Sequence, residues 1–117
     1  MTQAPSIPHP LPGPLVELIA QRFRVIGEPM RIRLLDALRE RPMTINELAE
    51  ALDATQQNVS KHAGVLAQAG IVGREKHGTR VQCFIADESV FELCELVCGG
   101  LRAQVAELDQ LLSGAEA

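Results

Sequence analysis

Between Thr55 and His62 the sequence reads Thr55-Gln56-Gln57-Asn58-Val59-Ser60-Lys61-His62, and every side chain except Val59 can donate or accept a hydrogen bond. Gln and Asn pair bidentately with adenine, Ser and Thr accept varied partners, and Lys reaches guanine or phosphate. At a helix start such residues face base edges in a DNA major groove, and the free backbone N–H groups there can meet a phosphate. Further on, Arg74, Lys76, His77 and Arg80 surround Gly78. A turn this basic suits the sugar–phosphate backbone or a minor groove. A third set is Cys94 and Cys98, spaced so that a helix carries both sulfurs on one face. Thiolates bind soft ions such as As(III), Cd(II) or Zn(II), and they are also oxidised readily. Cys83, or His9 from a second copy, would supply a third ligand. The plainer readings are a solvated helix end, an ordinary exposed turn and cysteines that merely pack as small hydrophobes.

The charge distribution favours the first reading for the polar helix and the basic turn. Net charge is −4, yet from Thr55 to Val81 the charged residues are Lys61, Arg74, Lys76 and Arg80 against Glu75 alone. From Asp87 onward they are Asp87, Glu88, Glu92, Glu95, Glu107, Asp109 and Glu116 against Arg102 alone. The middle of the chain can face phosphate and the last third cannot. Three cysteines make no disulfide framework, so reduced thiols and a cytoplasmic setting are expected. The N-terminal stretch does not read as a secretory signal, and no apolar run predicts a membrane span. Neither a phosphate-cradling glycine loop nor an HExxH motif is present, and Ser60 and His62 fall on different helix faces, so an enzyme is not expected.

These groups need elements to hold them. With 117 residues, no Trp and no Tyr, the core must come from Leu, Val, Ile and Ala, which favours packed helices. Residues 1–13 read as a flexible Pro-rich arm, 14–113 as one domain and 114–117 as a tail. Leu15 to Ile26 has helical spacing and stops at Gly27. A second helix opens at Glu28-Pro29 and closes at Arg41-Pro42. Thr44 and Glu47 form a capping box for a short third helix, and Asp53-Ala54 makes a turn. Thr55 caps a fourth helix that runs from Gln56 to Ala69 and ends at Gly70. Two β-type runs on either side of His77-Gly78 predict a hairpin, and Ser89 to Leu112 a long final helix. The fold class is therefore mainly α with a small β-hairpin: a winged helix-turn-helix of four helices, hairpin and closing helix.

Phe23 to Leu35 resembles the opening "L-x-D-P-T-R-x-x-I-L" of the ArsR/SmtB family of bacterial repressors. Thr44-Ile45-Asn46-Glu47-Leu48-Ala49 is similar to its first helix-turn-helix segment. Gln56 to His62 with Val65 to Val72 resembles its recognition helix, and Gly78-Thr79-Arg80 its wing. Glu28 stands where the family usually has Asp, and Ala63-Gly64 replaces a Leu-containing pair. The resemblance covers about residues 15–112. It implies a homodimer on double-stranded operator DNA, joined by the first and last helices, whose repression is relieved by a metal ion or another small inducer.

The residues agree on the dimer. Leu15, Leu18 and Ile19 line the first helix, and Val90, Cys94, Val97, Leu101, Val105, Leu108 and Leu112 form a stripe along the last. The family's metal sites do not carry over: the third helix has no Cys-x-Cys. In the last helix Ser89, Gly100 and Ala103 replace family ligands, with only Asp87 kept. Cys94 and Cys98 remain as the expected sensing site, for a soft metal(loid) ion, an oxidant or a persulfide, although a disulfide within one helix would be strained. Gly99-Gly100 beside them costs the helix roughly 2 kcal/mol relative to Ala-Ala, which points to a bend or a close backbone approach. The competing reading is a winged-helix protein-interaction module without DNA binding, which the acidic last third would suit.

Overall fold

The computed structural model describes residues 6–114. The first five residues of the expected arm and the last three of the tail lie outside that range. Five helices and three strands follow one another: α1 (Gly13–Ile26), α2 (Pro29–Leu38), β1 (Met43–Thr44), α3 (Ile45–Leu52), α4 (Gln56–Gln68), β2 (Val72–His77), β3 (Arg80–Ile85) and α5 (Ser89–Ser113). This is the winged helix-turn-helix order with one added strand. The described residues form two compact units that divide after Ala86, and the 14–113 span read as one domain holds parts of both.

Local chemistry explains most of the helix ends. Pro14 sits in the first turn of α1, where its missing N–H has no partner to lose, and the helix opens at Gly13 rather than Leu15. Glu28 caps α2, its carboxylate accepting the Arg31 backbone N–H at 2.9 Å. Thr44 and Glu47 form the expected capping box: Thr44 N–H donates to Glu47 Oε1 at 2.9 Å and Glu47 N–H to Thr44 Oγ1 at 3.1 Å. Thr55 Oγ1 accepts from the Asn58 N–H at 3.1 Å and opens α4. Gly70, at φ +79°, turns the chain out of α4, a conformation that costs glycine nothing.

Two features depart from the expectation. Helix α2 stops at Leu38, short of Arg41-Pro42, because its last turn tightens (Arg39 N–H to Asp36 O, 3.2 Å) and the chain must extend by Met43. That extension is β1, which turns the hairpin into a three-stranded antiparallel sheet of order β1-β3-β2, with Met43 opposite Cys83 and Thr44 opposite Gln82. Two residues carry no periodicity, so the strand has no sequence signature of its own. Gly78, at φ +65°, supplies the first position of the two-residue turn joining β2 to β3.

In the first unit Leu34, Leu48, Val59, Ala63, Leu66, Ile71 and Cys83 are completely buried and form the floor under α4. Within the second unit α5 is an uninterrupted helix of 25 residues, started by the Asp87 carboxylate accepting the Ser89 N–H at 3.0 Å. The helix continues through Gly99-Gly100, and among the described residues nothing lies within 4 Å of a side chain placed at either glycine. No helix among the described residues is long and apolar enough to cross a membrane.

The helix starts predict an acid response. The N–H bonds from Arg31 to Glu28 and from Thr44 to Glu47 hold both carboxyls below the usual carboxylate range, against a smaller opposing effect of burial. A carboxyl more acidic when folded stabilises fully above its ordinary pKa, and its contribution fades as pH falls through the lowered value. Melting temperature should drop as pH goes below about 4, and the Glu28→Gln, Glu47→Gln double variant should show a flatter acid limb. An unchanged acid limb in the double variant would remove these caps as its cause.

Candidate nucleic-acid interface

Helix α4 presents its first two turns to solvent. Gln56, Gln57, Ser60 and Lys61 are exposed, Thr55 caps the helix from outside, and Asn58 is half-buried with its backbone N–H already taken by Thr55. Behind them Val59, Ala63 and Leu66 have no exposure, so the polar face is held rigidly against the core.

His62 does not belong to that face. Only 7% of it is exposed, and the expected DNA contact is corrected to an internal one. Its Nδ1 lies 3.1 Å from Arg31 Nη1 and 3.9 Å from Glu28 Oε1. A guanidinium only donates, so Nδ1 is the acceptor of this pair. Arg31 also donates from Nε to Val25 O and, at 3.3 Å, from Nη2 to Arg24 O. One side chain thus ties the end of α1 and the start of α2 to the middle of α4. The signal was present in the sequence: residues 59, 62, 63 and 66 share the spacing of one buried helix face.

Other arginines hold the ends of the same motif. Arg22 Nη1 donates to Ala69 O at 2.7 Å, at the end of α4, and Arg33 Nη2 to Leu52 O at 3.3 Å, at the end of α3. Arg41 stands 3.5 Å from Glu47, and Arg24 bonds Gln21 at 3.0 Å. By contrast Lys61, Arg74, Lys76 and Arg80 make no hydrogen bond or ion pair among the described residues. The cations of the first unit therefore sort in two: Arg22, Arg24, Arg31, Arg33 and Arg41 are bonded within the scaffold, and those from Lys61 onward make no such bond among the described residues.

The sheet divides the wing charges further. Register places Arg74 opposite Cys83 and Lys76 opposite Val81 on one side, and Glu75 opposite Gln82 and His77 opposite Arg80 on the other. His77 Nε2 lies 3.3 Å from Glu75 Oε1, so this expected DNA contact is partly occupied by an acid of its own strand. Between the wing and the helix-turn-helix a groove is lined by Asn46 at the start of α3, Gln56 at the start of α4, and Thr79 and Arg80. Asn46 and Thr79 were not among the expected contacts. They join the surface because the first turn of α3 opens beside the hairpin tip, a proximity that no local spacing reveals.

The candidate thiols divide as well. Cys83 is completely buried, and burial pushes its thiol up despite the nearby Arg74 charge, which disfavours the metal-binding thiolate. Cys94 is half-buried and Cys98 exposed on α5. Among the described residues no group of three or more His, Cys, Asp or Glu side chains is placed to hold a metal ion, so these residues alone do not fit one. His9 is exposed and outside any such group. Of the expected dimer residues Leu18, Val97, Leu101, Val105 and Leu108 are exposed, and Leu15 and Ile19 are half-buried. Val90 is buried within the single chain, which does not fit its expected place on the dimer surface.

Comparison with known proteins places this geometry. A helix-turn-helix domain family model matches residues 26–74. The chain is 33% identical over 85 residues to the transcriptional repressor SmtB of Mycobacterium tuberculosis, an alignment covering 73% of this chain and 63% of that protein, so it spans less than two thirds of that relative. It is similar to the crystal structure of M. tuberculosis Rv0081, with TM-score 0.73 and 30% identity over 82% of this chain and 97% of that one. The sequence comparison with Rv0081, described as an HTH-type transcriptional regulator, gives 32% identity and covers 96% of that protein. The fold also matches the solution structure of a homodimeric winged helix-turn-helix DNA-binding domain from Mycobacterium bovis, a possible ArsR-family regulator, with TM-score 0.68 and 23% identity over 86% of this chain and 91% of that one.

Proposed function

We infer the function from one premise: this chain belongs to the ArsR/SmtB family of winged helix-turn-helix transcriptional regulators, which are not enzymes. On that premise it represses transcription by binding operator DNA as a homodimer, and an inducer acting on α5 releases it. The observation that carries the DNA reading is the free cationic set, Lys61, Arg74, Lys76 and Arg80, beside the exposed Gln56, Gln57 and Ser60 of α4. Unpaired cations next to a rigid polar helix start supply both the phosphate attraction and the base contacts that an operator needs. The dimer reading is supported by the exposed apolar stripe of α5 and by the homodimeric state of the M. bovis neighbour. Two-fold symmetry then sets two copies of α4 about one DNA turn apart on an imperfect palindrome.

The test is selection from a random duplex pool, followed by fluorescence anisotropy of the selected duplex against salt. A palindromic consensus whose affinity falls steeply with salt is expected. Equal affinity for random duplex would overturn the reading.

The inducer acts at Cys94 and Cys98. Among the described residues one copy offers these two thiols and no third ligand beside them, so a soft ion such as As(III), Cd(II) or Zn(II) needs donors from both copies, whereas an oxidant or persulfide needs only the thiols. Wild-type protein on its selected duplex should dissociate when arsenite, Cd(II), Zn(II), hydrogen peroxide or a persulfide donor is added. The Cys94→Ser, Cys98→Ser variant should bind the same duplex within about twofold of wild type and ignore all of them. Release of the variant like the wild type would end the thiol assignment, as would a wild type that responds to none.

A further inference from the structure

Helix α4 carries an unusual residue on its outward side. Val59, His62, Ala63 and Leu66 mark the buried side, and at roughly 100° per residue Gly64 falls opposite them, in line with Gln57 and beside Lys61. Glycine is a poor helix former, and in the middle of α4 it leaves the helix surface without a side chain. The space above it is used by Arg74. A side chain begun at Gly64 would find Arg74 Nη1 at 3.8 Å, with no other side chain and no other element of the fold within 4 Å. Arg74 reaches that position because it stands on β2 opposite the completely buried Cys83 and so leaves the sheet on the side that faces α4. Its guanidinium has no hydrogen-bond or ion-pair partner among the described residues.

We propose that Arg74 is a specificity-determining residue of the reading surface rather than a backbone contact of the wing, its guanidinium crossing α4 over Gly64 to read a guanine in the major groove. The inference rests on the operator-binding reading above. The location decides between base and phosphate. The outward midline of a recognition helix points at base edges, while phosphates line the groove rims, within reach of Lys76 and Arg80 at the hairpin tip. A guanidinium fork on that midline matches guanine O6 and N7.

The experiment uses the full-length protein and the duplex it selects, together with a panel in which each base pair of one half-site is changed in turn. Arg74→Ala should weaken selected-duplex binding about 10- to 100-fold and lose discrimination at one G·C pair per half-site, leaving the other positions as selective as in wild type. Arg74→Lys keeps the charge without the fork and should lose the same discrimination. Gly64→Leu, which favours the helix, should fold and displace the guanidinium with the same loss at that pair. Lys76→Ala should weaken every duplex evenly. The proposal is overturned if Arg74→Ala keeps the wild-type preference at every position, or if its loss is even across the panel with the salt slope reduced by about one, as for a phosphate contact. Failure of wild type to prefer any selected duplex would instead remove the operator-binding reading and this inference with it.

Discussion

Leu101→Glu is expected to lower affinity for the full palindromic operator by about 10²- to 10⁴-fold while leaving the helix-turn-helix unit folded. That range is what joining two binding modules adds over one alone. Leu101 is 55% exposed and lies midway along the α5 stripe of Val97, Leu101, Val105 and Leu108, each of which is more than half exposed. So much apolar surface on one helix is unusual for a chain that stays monomeric in water. In a two-fold interface a residue near the axis meets its own copy, so each Glu introduced there faces another across desolvated surface. Native mass spectrometry should show a monomer, and anisotropy should show equal affinity for the full palindrome and a single half-site. Far-UV circular dichroism guards against simple unfolding. A variant that remains dimeric and binds the full site like wild type would show that α5 is not the joining surface.

Arg31→Ala is expected to destabilise the first unit by about 2–3 kcal/mol, the scale of a lost charge-assisted hydrogen bond together with a buried group left unsatisfied. None of the buried side-chain nitrogens and oxygens described in the structure lacks a partner, and this substitution would strip His62 Nδ1 of its hydrogen-bond donor. It also frees the carbonyls of Arg24 and Val25 at the end of α1. In a domain stabilised by roughly 5–15 kcal/mol the loss is large. Arg31→Lys should rescue little, because a single ammonium cannot serve His62 and the two carbonyls from the planar geometry that the guanidinium provides. Urea denaturation measures the change, and a transition within about 0.5 kcal/mol of wild type would mean that Arg31 is not the brace its contacts describe. Operator affinity should fall with stability, since the same contact holds α4 at its middle.

These two predictions draw on different parts of what the chain encodes. The start of α2 at Glu28-Pro29, the Thr44/Glu47 box, the Thr55 cap and the hairpin around Gly78 were all legible from the residues alone. So was the polar run from Gln56 to Lys61. Each depends on groups no more than about four positions apart, and the chain brings such groups together whatever the rest of the molecule does. The contacts that give the surface its particular character join residues far apart in sequence. Met43 needs Cys83 to become a strand, His62 needs Arg31 to be tolerable inside, and only packing brings Arg74 beside Gly64. Residue type told which side chains could touch DNA. Which of them face outward, which are spent on bracing the scaffold and which cations stand unpaired was decided only when distant segments packed, because burial and pairing belong to the neighbourhood a residue ends in and not to the residues beside it.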